Sequence, residues 1–162
     1  MDGRMTYADT DSVATVYQIR WNKDSDNSIR IYLNTSGADI GEQSFRQEES
    51  NIVNDVISAA DYFSPDILVP YNIASRHGST FLNGAADGTA LTADTTPVAL
   101  PDLSSTDLEL GYNYMGTINQ FRVWSQDLGD AGIVDATEPS LEPSLSLTFD
   151  STDSSFIVRD FT

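Results

Sequence analysis

The chain has 162 residues, of which 40% are apolar and 10% aromatic, and this is enough for a single domain with a hydrophobic core. Its 25 acidic and 8 basic residues give a formal charge of −17, which excludes binding to the phosphate backbone of nucleic acids and to anionic membrane surfaces. There is no cysteine, so disulfide bonds, zinc–thiolate sites and thiol catalysis are excluded as well.

The hydropathy of the chain bears on its localisation. Residues 1–11 have no apolar core of the kind found in signal peptides, and no run approaches the ~18 apolar residues that cross a membrane. We therefore expect neither export through a signal peptide nor insertion into a membrane.

Alternating apolar residues predict an antiparallel hairpin in the first part of the chain. The first run places Tyr17, Ile19 and Trp21 on one predicted face. After a polar turn, a second run places Arg30 and Tyr32 on the outer face of the next strand. The two runs are therefore expected to pair.

Shorter apolar runs predict the remaining strands. Residues 1–12 are predicted to form an irregular arm or an edge strand. The segment 51–60 also fits a helical spacing, but its β-branched residues favour a strand. Further strands are predicted at residues 43–47, 67–73, 80–82, 108–110, 117–124, 145–149 and 156–158.

Turn-forming residues separate these runs. Asn83–Gly84 is a pair preferred in type I′ hairpins, and Asp87–Gly88 is a second turn pair. Residues 75–78 are predicted to be a short link or bulge. Residues 128–133 have a helical spacing, but their glycines limit the helix to one or two turns.

About nine short strands without a sustained helix predict an all-β fold, an antiparallel β-sandwich. We expect this sandwich to occupy residues 1–138. Residues 139–162 are expected to form one or two C-terminal strands, or an appendage, packed on the same domain.

Three segments carry a resemblance to a known family. They are F-L-N-G-A at residues 81–85, L-P-D-L-S-S-T-D-L-E-L-G at residues 100–111 and M-G-T-I-N-Q-F-R-V-W-S-Q-D-L at residues 115–128. Together they resemble the C-terminal half of concanavalin A-like (laminin-G-like) jelly rolls, above all those of tailed-bacteriophage structural proteins. The resemblance is most specific over residues 67–137.

The resemblance implies a two-sheet jelly roll with one short helical turn. Many members of this family bind glycans, some bind calcium and some are glucanases. Its viral members often serve as adhesion modules or as decorations of capsids and tails. Turn formation by glycines and packing of apolar side chains in the core are enough to explain the matching segments, without a catalytic or binding role. The resemblance therefore indicates fold more strongly than function.

The residues needed for catalysis are missing from the sequence. The glucanases of this family carry an E-x-D-x-(x)-E run, whereas the adjacent Glu48 and Glu49 point to opposite faces of a strand. The only histidine is His77, and no G-x-S-x-G motif accompanies it. We predict that His77 is a loop residue bonded to backbone carbonyls and that the protein is not an enzyme.

The first predicted turn holds candidate metal ligands. Asp24, Asp26 and Asn27, with Asn22 before them, offer hard oxygen atoms at a spacing similar to that of calcium loops. The EF-hand pattern fails, because its glycine and its last glutamate are missing. A polar hairpin turn is the favoured interpretation, so we expect no cofactor, with calcium as the alternative.

Aromatic residues next to amide side chains are candidates for contact with a glycan or a subunit. Tyr112, Asn113 and Tyr114 in one turn fit this description best, and Trp124 and Tyr71 are further candidates. The alternative is that Tyr112 and Tyr114 pack across the turn or contact a neighbouring subunit, because interfaces favour the same residue types.

The sequence and the resemblance together lead to a functional expectation. We expect a structural protein of a bacteriophage virion, a non-enzymatic interaction module that decorates the capsid or belongs to the tail. Its expected partners are other virion proteins and further copies of itself. The alternative is a lectin module that binds a host-surface glycan.

Overall fold

The computed structural model describes residues 1–7, 15–139, 146–148 and 157–159. Two five-stranded antiparallel sheets pack face to face, which confirms the predicted all-β sandwich. The strands are β1 (Asp2–Met5), β2 (Thr15–Asn22), β3 (Ser28–Asn34), β4 (Gln43–Glu49), β5 (Ile52–Ile57), β6 (Val69–His77), β7 (Leu82–Ala86), β8 (Thr89–Ala90), β9 (Leu108–Tyr112), β10 (Gly116–Gln120), β11 (Ser146–Thr148) and β12 (Ile157–Arg159).

The first sheet has the order β10-β1-β6-β7-β8, and the second has the order β5-β4-β3-β2-β9. Strands β11 and β12 pair with each other in a two-stranded sheet. A 3-10 turn (Gly37–Asp39) and one short helix, α1 (Gly129–Asp135), complete the described elements. The helix confirms the predicted helical turn, and no described helix is long and apolar enough to cross a membrane.

Strand β1 lies inside the first sheet, so the prediction of an arm or an edge strand is wrong for these residues. Residues 8–12, which the prediction also covered, lie outside the described residues. Asp2 is opposite Asn72 of β6 on one side and opposite Gln120 of β10 on the other. Gly3 makes this close insertion feasible. A Cβ atom at Gly3 would lie 2.3 Å from the carbonyl oxygen of Thr117 and 2.7 Å from the hydroxyl of Tyr71.

A bulge at Gln18 interrupts the alternation of side chains that was predicted for β2. Tyr17 pairs with Tyr32, but the next pair is Ile19 with Ile31, so Gln18 is an extra residue. Ile19 therefore enters the core, whereas the Tyr17 side chain turns to the outer face beside Tyr32, so the prediction that both share one face is wrong.

Asn83 and Gly84 lie within β7, so the predicted turn at this pair is wrong. The turn is made by Asp87 and Gly88, whose φ angles are 45° and 76°, so the prediction of the second turn pair is confirmed. Gly84 instead serves the packing of the two sheets. A Cβ atom there would lie 2.3 Å from the Phe45 ring of the opposite sheet.

The lengths of two strands also differ from the prediction. A short link or bulge had been predicted at residues 75–78, but β6 continues through this segment and ends at His77. β10 ends at Gln120, although a strand was predicted up to Trp124. The core between the sheets is formed by Met5, Tyr7, Val16, Ile19, Ile31, Leu33, Phe45, Val56, Phe63, Tyr71, Ile73, Leu82 and Ala86.

In the C-terminal part, β11 lies within the predicted strand segment 145–149, and β12 overlaps the predicted segment 156–158 and extends to Arg159. The rest of those segments lies outside the described residues. The division of the chain at residue 138 stays a prediction.

Candidate functional site

The outer face of the second sheet carries a row of tyrosines. The register places Tyr17 opposite Tyr112 of β9 on one side and opposite Tyr32 of β3 on the other. The ring centroids of Tyr17 and Tyr112 are 5.9 Å apart, and those of Tyr17 and Tyr32 are 5.6 Å apart. Tyr112, on the edge strand, is 43% exposed, whereas Tyr32 is buried.

A row of three arginines runs beside the tyrosines. Arg20, Arg30 and Arg46 follow one another across β2, β3 and β4, because Arg20 is opposite Arg30 and Arg30 is opposite Arg46. Carboxylates end the row, with Glu109 opposite Arg20 and Asp55 opposite Arg46. We call the six residues Tyr17, Tyr32, Tyr112, Arg20, Arg30 and Arg46 the tyrosine–arginine face.

The arginines at the two ends of the row are paired differently with their carboxylates. Arg46 makes two hydrogen bonds to Asp55, each 2.8 Å long, and these raise the pKa of the guanidinium. The Nε atom of Arg20 lies 2.9 Å from Oε2 of Glu109, but outside hydrogen-bond geometry. The Nε and Nη2 atoms of Arg46 thus share a fixed partner, whereas Arg20 makes no such two-fold hydrogen bond.

Arg30, in the middle of the row, has weaker contacts. Its Nε donates to Asn22 at 3.2 Å, and its Nη2 lies 3.5 Å from a carboxylate oxygen of Glu48. The Arg30 side chain is 17% exposed. It therefore retains donor capacity at a partly open position.

Two of the arginines stack on the tyrosines. The guanidinium carbon of Arg20 lies 4.1 Å from the ring centroid of Tyr112, and that of Arg46 lies 5.4 Å from the ring centroid of Tyr32. These contacts fix the guanidinium planes and the rings relative to each other.

The charge of this face differs from that of the whole protein. Three of the eight basic residues lie here, together with the three carboxylates of Glu48, Asp55 and Glu109, so the face is neutral. The formal charge of −17 is therefore carried by the rest of the chain. An anionic ligand meets less repulsion here than on the average surface.

The predicted contact residues separate into different environments. Tyr112 belongs to the tyrosine–arginine face, and Asn113 is exposed beside it with a φ angle of 51°. Tyr71 is only 1% exposed, so its prediction as a surface contact is wrong; the residue fills the core between the sheets. Trp124 is 39% exposed and lines a cavity at the first sheet.

Tyr114 packs across the turn, which is one of the alternatives predicted for it. Its hydroxyl lies 2.8 Å from the hydroxyl of Tyr71 and donates toward the carbonyl oxygens of Arg4 at 2.9 Å and Thr117 at 3.1 Å. These contacts join the turn to β1 and β6, so Tyr114 has a structural role.

His77 ends strand β6, so its prediction as a loop residue bonded to backbone carbonyls is wrong. Its Nε2 atom lies 3.0 Å from the hydroxyl of Ser75. The Nδ1 atom is buried without a hydrogen-bond partner among the described residues, and burial lowers the pKa of His77 to about 4. The imidazole is therefore neutral at physiological pH.

The candidate calcium ligands form a polar hairpin turn. Asp24 accepts hydrogen bonds from the side chain of Asn27 and the backbone amide of Asp26, both at 2.9 Å, and these lower its pKa. Among the described residues no group of three or more histidine or acidic side chains could hold a metal. Calcium binding stays a prediction.

The chain was compared with known proteins at three levels. No family model and no curated protein matches it. Among solved structures, it is similar to a leech intramolecular trans-sialidase in complex with 2,7-anhydro-Neu5Ac, with 18% sequence identity and a TM-score of 0.61. The match covers 84% of this chain and 23% of the trans-sialidase, so this chain spans about a quarter of that protein.

This likeness establishes the fold, an all-β sandwich compatible with the jelly roll that the family resemblance implied. It also corrects the prediction that the protein is not an enzyme, because the same fold is found within an enzyme chain. At this identity the likeness assigns no activity to the chain.

The arginine row was not predicted from the sequence. Its signal was Arg20, Arg30 and Arg46 at outward positions of three successive strands. Only the register of β2, β3 and β4 makes these residues neighbours.

Proposed function

We propose that the tyrosine–arginine face binds an acidic saccharide and that the chain is a glycan-recognition domain. The observation that carries this proposal is the stacked pair of Arg20 and Tyr112 at an exposed edge of the face. This pair combines a planar cation with an aromatic surface, which are the two groups that a carboxylated sugar requires.

The chemistry of the two groups explains the choice of ligand. An aromatic ring offers an apolar surface to the C–H groups of a sugar, and a tyrosine hydroxyl can bond to the sugar hydroxyls. A guanidinium matches a carboxylate with two parallel hydrogen bonds. Among the described residues, the terminal nitrogens of Arg20 make no hydrogen bond, so they can meet an incoming carboxylate.

The similar solved structure supports the same class of ligand. It is a trans-sialidase, and its complex contains a derivative of Neu5Ac, a sugar that carries a carboxylate. We therefore propose sialylated glycans as the first ligands to test.

Binding to an array of sialylated and neutral glycans, followed by titration calorimetry, tests the proposal. We expect wild-type protein to bind sialylated glycans, and Tyr112→Ala and Arg20→Ala to weaken binding at least about tenfold, equivalent to ~1.4 kcal/mol. Arg122→Ala is the matched control, because it removes an exposed arginine away from this face. Wild-type protein that binds no acidic glycan, or variants that bind unchanged, would contradict the proposal.

We also propose, from the family resemblance, that the domain serves on a bacteriophage particle, with other virion proteins and further copies of itself as partners. The exposed apolar residues Ile52, Val53 and Ile57 of the edge strand β5 support a protein contact there. Mass spectrometry of purified particles and electron microscopy with a labelled antibody test this second proposal. Hundreds of copies per particle would indicate the capsid, a handful the tail, and absence from the particle would reject the proposal.

A further inference from the structure

Strand β5 is an edge of the second sheet. Within the part of the chain that the structure describes, it pairs with β4 alone, in a regular register without a bulge. Natural edge strands are commonly protected from further pairing by lysine, proline, a bulge or a covering segment. The sequence of β5 contains no lysine and no proline, and its one charged residue is Asp55. The strand therefore lacks the usual barriers to pairing with another strand.

The pairing of β5 with β4 shows which of its peptide groups point away from β4. Ser50 and Asn51 form the turn between the strands, with φ angles of 53° and 64°, so Ile52 belongs to the hydrogen-bonded pair that closes this hairpin. At the other end, the amide of Ser58 donates to the carbonyl of Gln43 at 2.9 Å. Peptide groups alternate in direction along a strand, so even-numbered residues face β4 and odd-numbered residues face the open edge.

The open edge thus presents the N–H and C=O groups of Val53, Asp55 and Ile57. Their side chains lie on the outer face of the sheet, because Val56 between them is 2% exposed and points into the core. Val53 and Ile57 are 41% and 49% exposed. The edge therefore carries two exposed β-branched side chains, placed symmetrically about one carboxylate.

The charge next to β5 is balanced, in contrast to the acidic chain as a whole. The carboxylate of Asp55 accepts two hydrogen bonds from Arg46, and Arg30 lies 3.5 Å from a carboxylate oxygen of Glu48. Two copies with a formal charge of −17 repel each other over most of their surface. Beside β5 this repulsion is small, which favours a second copy of the chain as the partner at this edge.

We propose that β5 pairs with β5 of a second copy of this chain, antiparallel and about a two-fold axis at Asp55. This inference deepens the proposal that β5 makes a protein contact, on which it rests, and it names the partner. Opposite side chains of an antiparallel pair point to the same face, so a two-fold axis perpendicular to the sheet keeps outer residues opposite outer residues. Val53 of each copy then lies opposite Ile57 of the other.

This register uses all the outward peptide groups of β5. Each outward residue meets an outward residue of the second copy, and each such pair exchanges two hydrogen bonds, so about six bonds form. A shift of the axis by one residue in either direction would set Val53 or Ile57 opposite the carboxylate of Asp55. The register centred on Asp55 instead pairs the aliphatic side chains with each other.

The axis brings the two Asp55 side chains opposite each other. Like charges at such positions are unfavourable when neither has a partner. Here each carboxylate is bound by the Arg46 guanidinium of its own chain through two hydrogen bonds of 2.8 Å, so two neutral pairs meet at the axis. The pairing also closes the assembly at two copies, because it occupies the open side of both β5 strands.

Disulfide cross-linking tests the partner and the register, and the absence of native cysteines removes any background. Val53→Cys protein with a size tag is mixed with untagged Ile57→Cys protein, and the mixture is oxidised. We expect a product of mixed size on a non-reducing gel, because the Cα atoms of such a pair are ~5.5 Å apart, within disulfide range. Val53→Cys alone is the control and is expected to give at least about tenfold less dimer, because its two cysteines would lie ~13 Å apart along the strands.

The mass of the protein in solution is a second, independent measurement. Light scattering after size exclusion, over about a hundredfold range of concentration, is expected to show wild-type dimers at the upper end. Val53→Lys is expected to stay monomeric, because a lysine on an edge strand opposes pairing. Ile67→Lys is the matched control and is expected to dimerise like the wild type, because it replaces an exposed aliphatic residue that precedes β6 in the other sheet.

Several results would overturn the proposal. One is a wild type that is monomeric at every concentration, and another is a Val53→Lys variant that dimerises like the wild type. A third is a mixture that yields no cross-linked product, or no more than Val53→Cys alone. All measurements use the purified chain without glycan or particle, so these results would leave the proposed glycan binding and the proposed place on a particle untouched.

Discussion

The guanidinium carbon of Arg20 lies 4.1 Å from the centroid of the Tyr112 ring, on the outer face of the second sheet. Arg20 also contacts Glu109, and Tyr112 contacts the edge of the Tyr17 ring. The two side chains come from β2 and β9, so their relation depends on the pairing of strands that are distant in sequence.

Arg20→Lys separates the role of charge from that of shape at this pair. Lysine keeps the positive charge but has no planar fork for a carboxylate and stacks less well on an aromatic ring. We expect at least fivefold weaker binding of sialylated glycans, measured by calorimetry. Arg46→Lys is the matched control and is expected to change glycan affinity less than twofold, because the Nε–Nη2 edge of Arg46 is already occupied by the carboxylate of Asp55. Equal affinities for wild type and Arg20→Lys would argue against a guanidinium–carboxylate contact.

Tyr114→Phe is expected to destabilise the fold. It removes the hydroxyl that lies 2.8 Å from the buried Tyr71 hydroxyl and leaves that group without this partner. An unsatisfied buried hydroxyl costs about 1–3 kcal/mol, and we expect a decrease of this size in the free energy of unfolding by urea. Tyr112→Phe is the control, because the exposed Tyr112 hydroxyl makes no hydrogen bond within the described part of the chain. A similar loss in both variants would contradict a specific role of the Tyr71–Tyr114 pair.

Gly84→Ala tests the close approach of the two sheets. The added methyl group would lie 2.3 Å from Cδ2 of Phe45, so the ring or the strand must move. Overpacking of this kind costs about 1–3 kcal/mol, and we expect a corresponding loss of stability in thermal and urea unfolding. Gly37→Asn is a suitable control, because Gly37 has open space around it and asparagine tolerates its positive φ angle. Unchanged stability of Gly84→Ala would show that β7 is less tightly packed than described.

His77 predicts a pH dependence of stability. Burial lowers its pKa in the folded protein to about 4, below the ordinary value of 6.5, so the unfolded chain binds the proton more readily. The contribution of neutral His77 is therefore complete above pH 6.5 and decreases as the pH falls toward 4.

Urea unfolding of wild type and His77→Gln between pH 7 and pH 5 measures this contribution. The carboxylates titrate in both proteins, so the difference between them isolates the histidine. We expect the wild type to lose more stability than the variant over this interval. Parallel curves would show that the imidazole is protonated as easily in the fold as in the unfolded chain.

The sequence predicted best where local alternation and tertiary packing agree. Arg30 and Tyr32 were expected on the outer face of the second predicted strand, and both lie on the outer face of β3. The bulge at Gln18 could not be predicted, because it is a shift of register between β2 and β3 that alternation within one strand does not reveal.

Elsewhere, tertiary contacts overrode local signals. Asn83–Gly84 is a strong turn signal, yet Gly84 is used in β7 to admit the Phe45 ring. In the candidate site, Tyr112 was predicted, but the arginines beside it were not. Their proximity depends on strand register, which alternation alone does not determine.

The position of β1 inside the first sheet also constrains how the protein folds during synthesis. Asp2 is synthesised before both of its partners, because Asn72 and Gln120 follow it by 70 and 118 residues in the sequence. The strands β2 to β5, in contrast, pair with their neighbours in sequence and can form a sheet as they emerge. Strand β1 can therefore pair with β6 once residue 72 has been translated, but the first sheet closes on its other side only after residue 120.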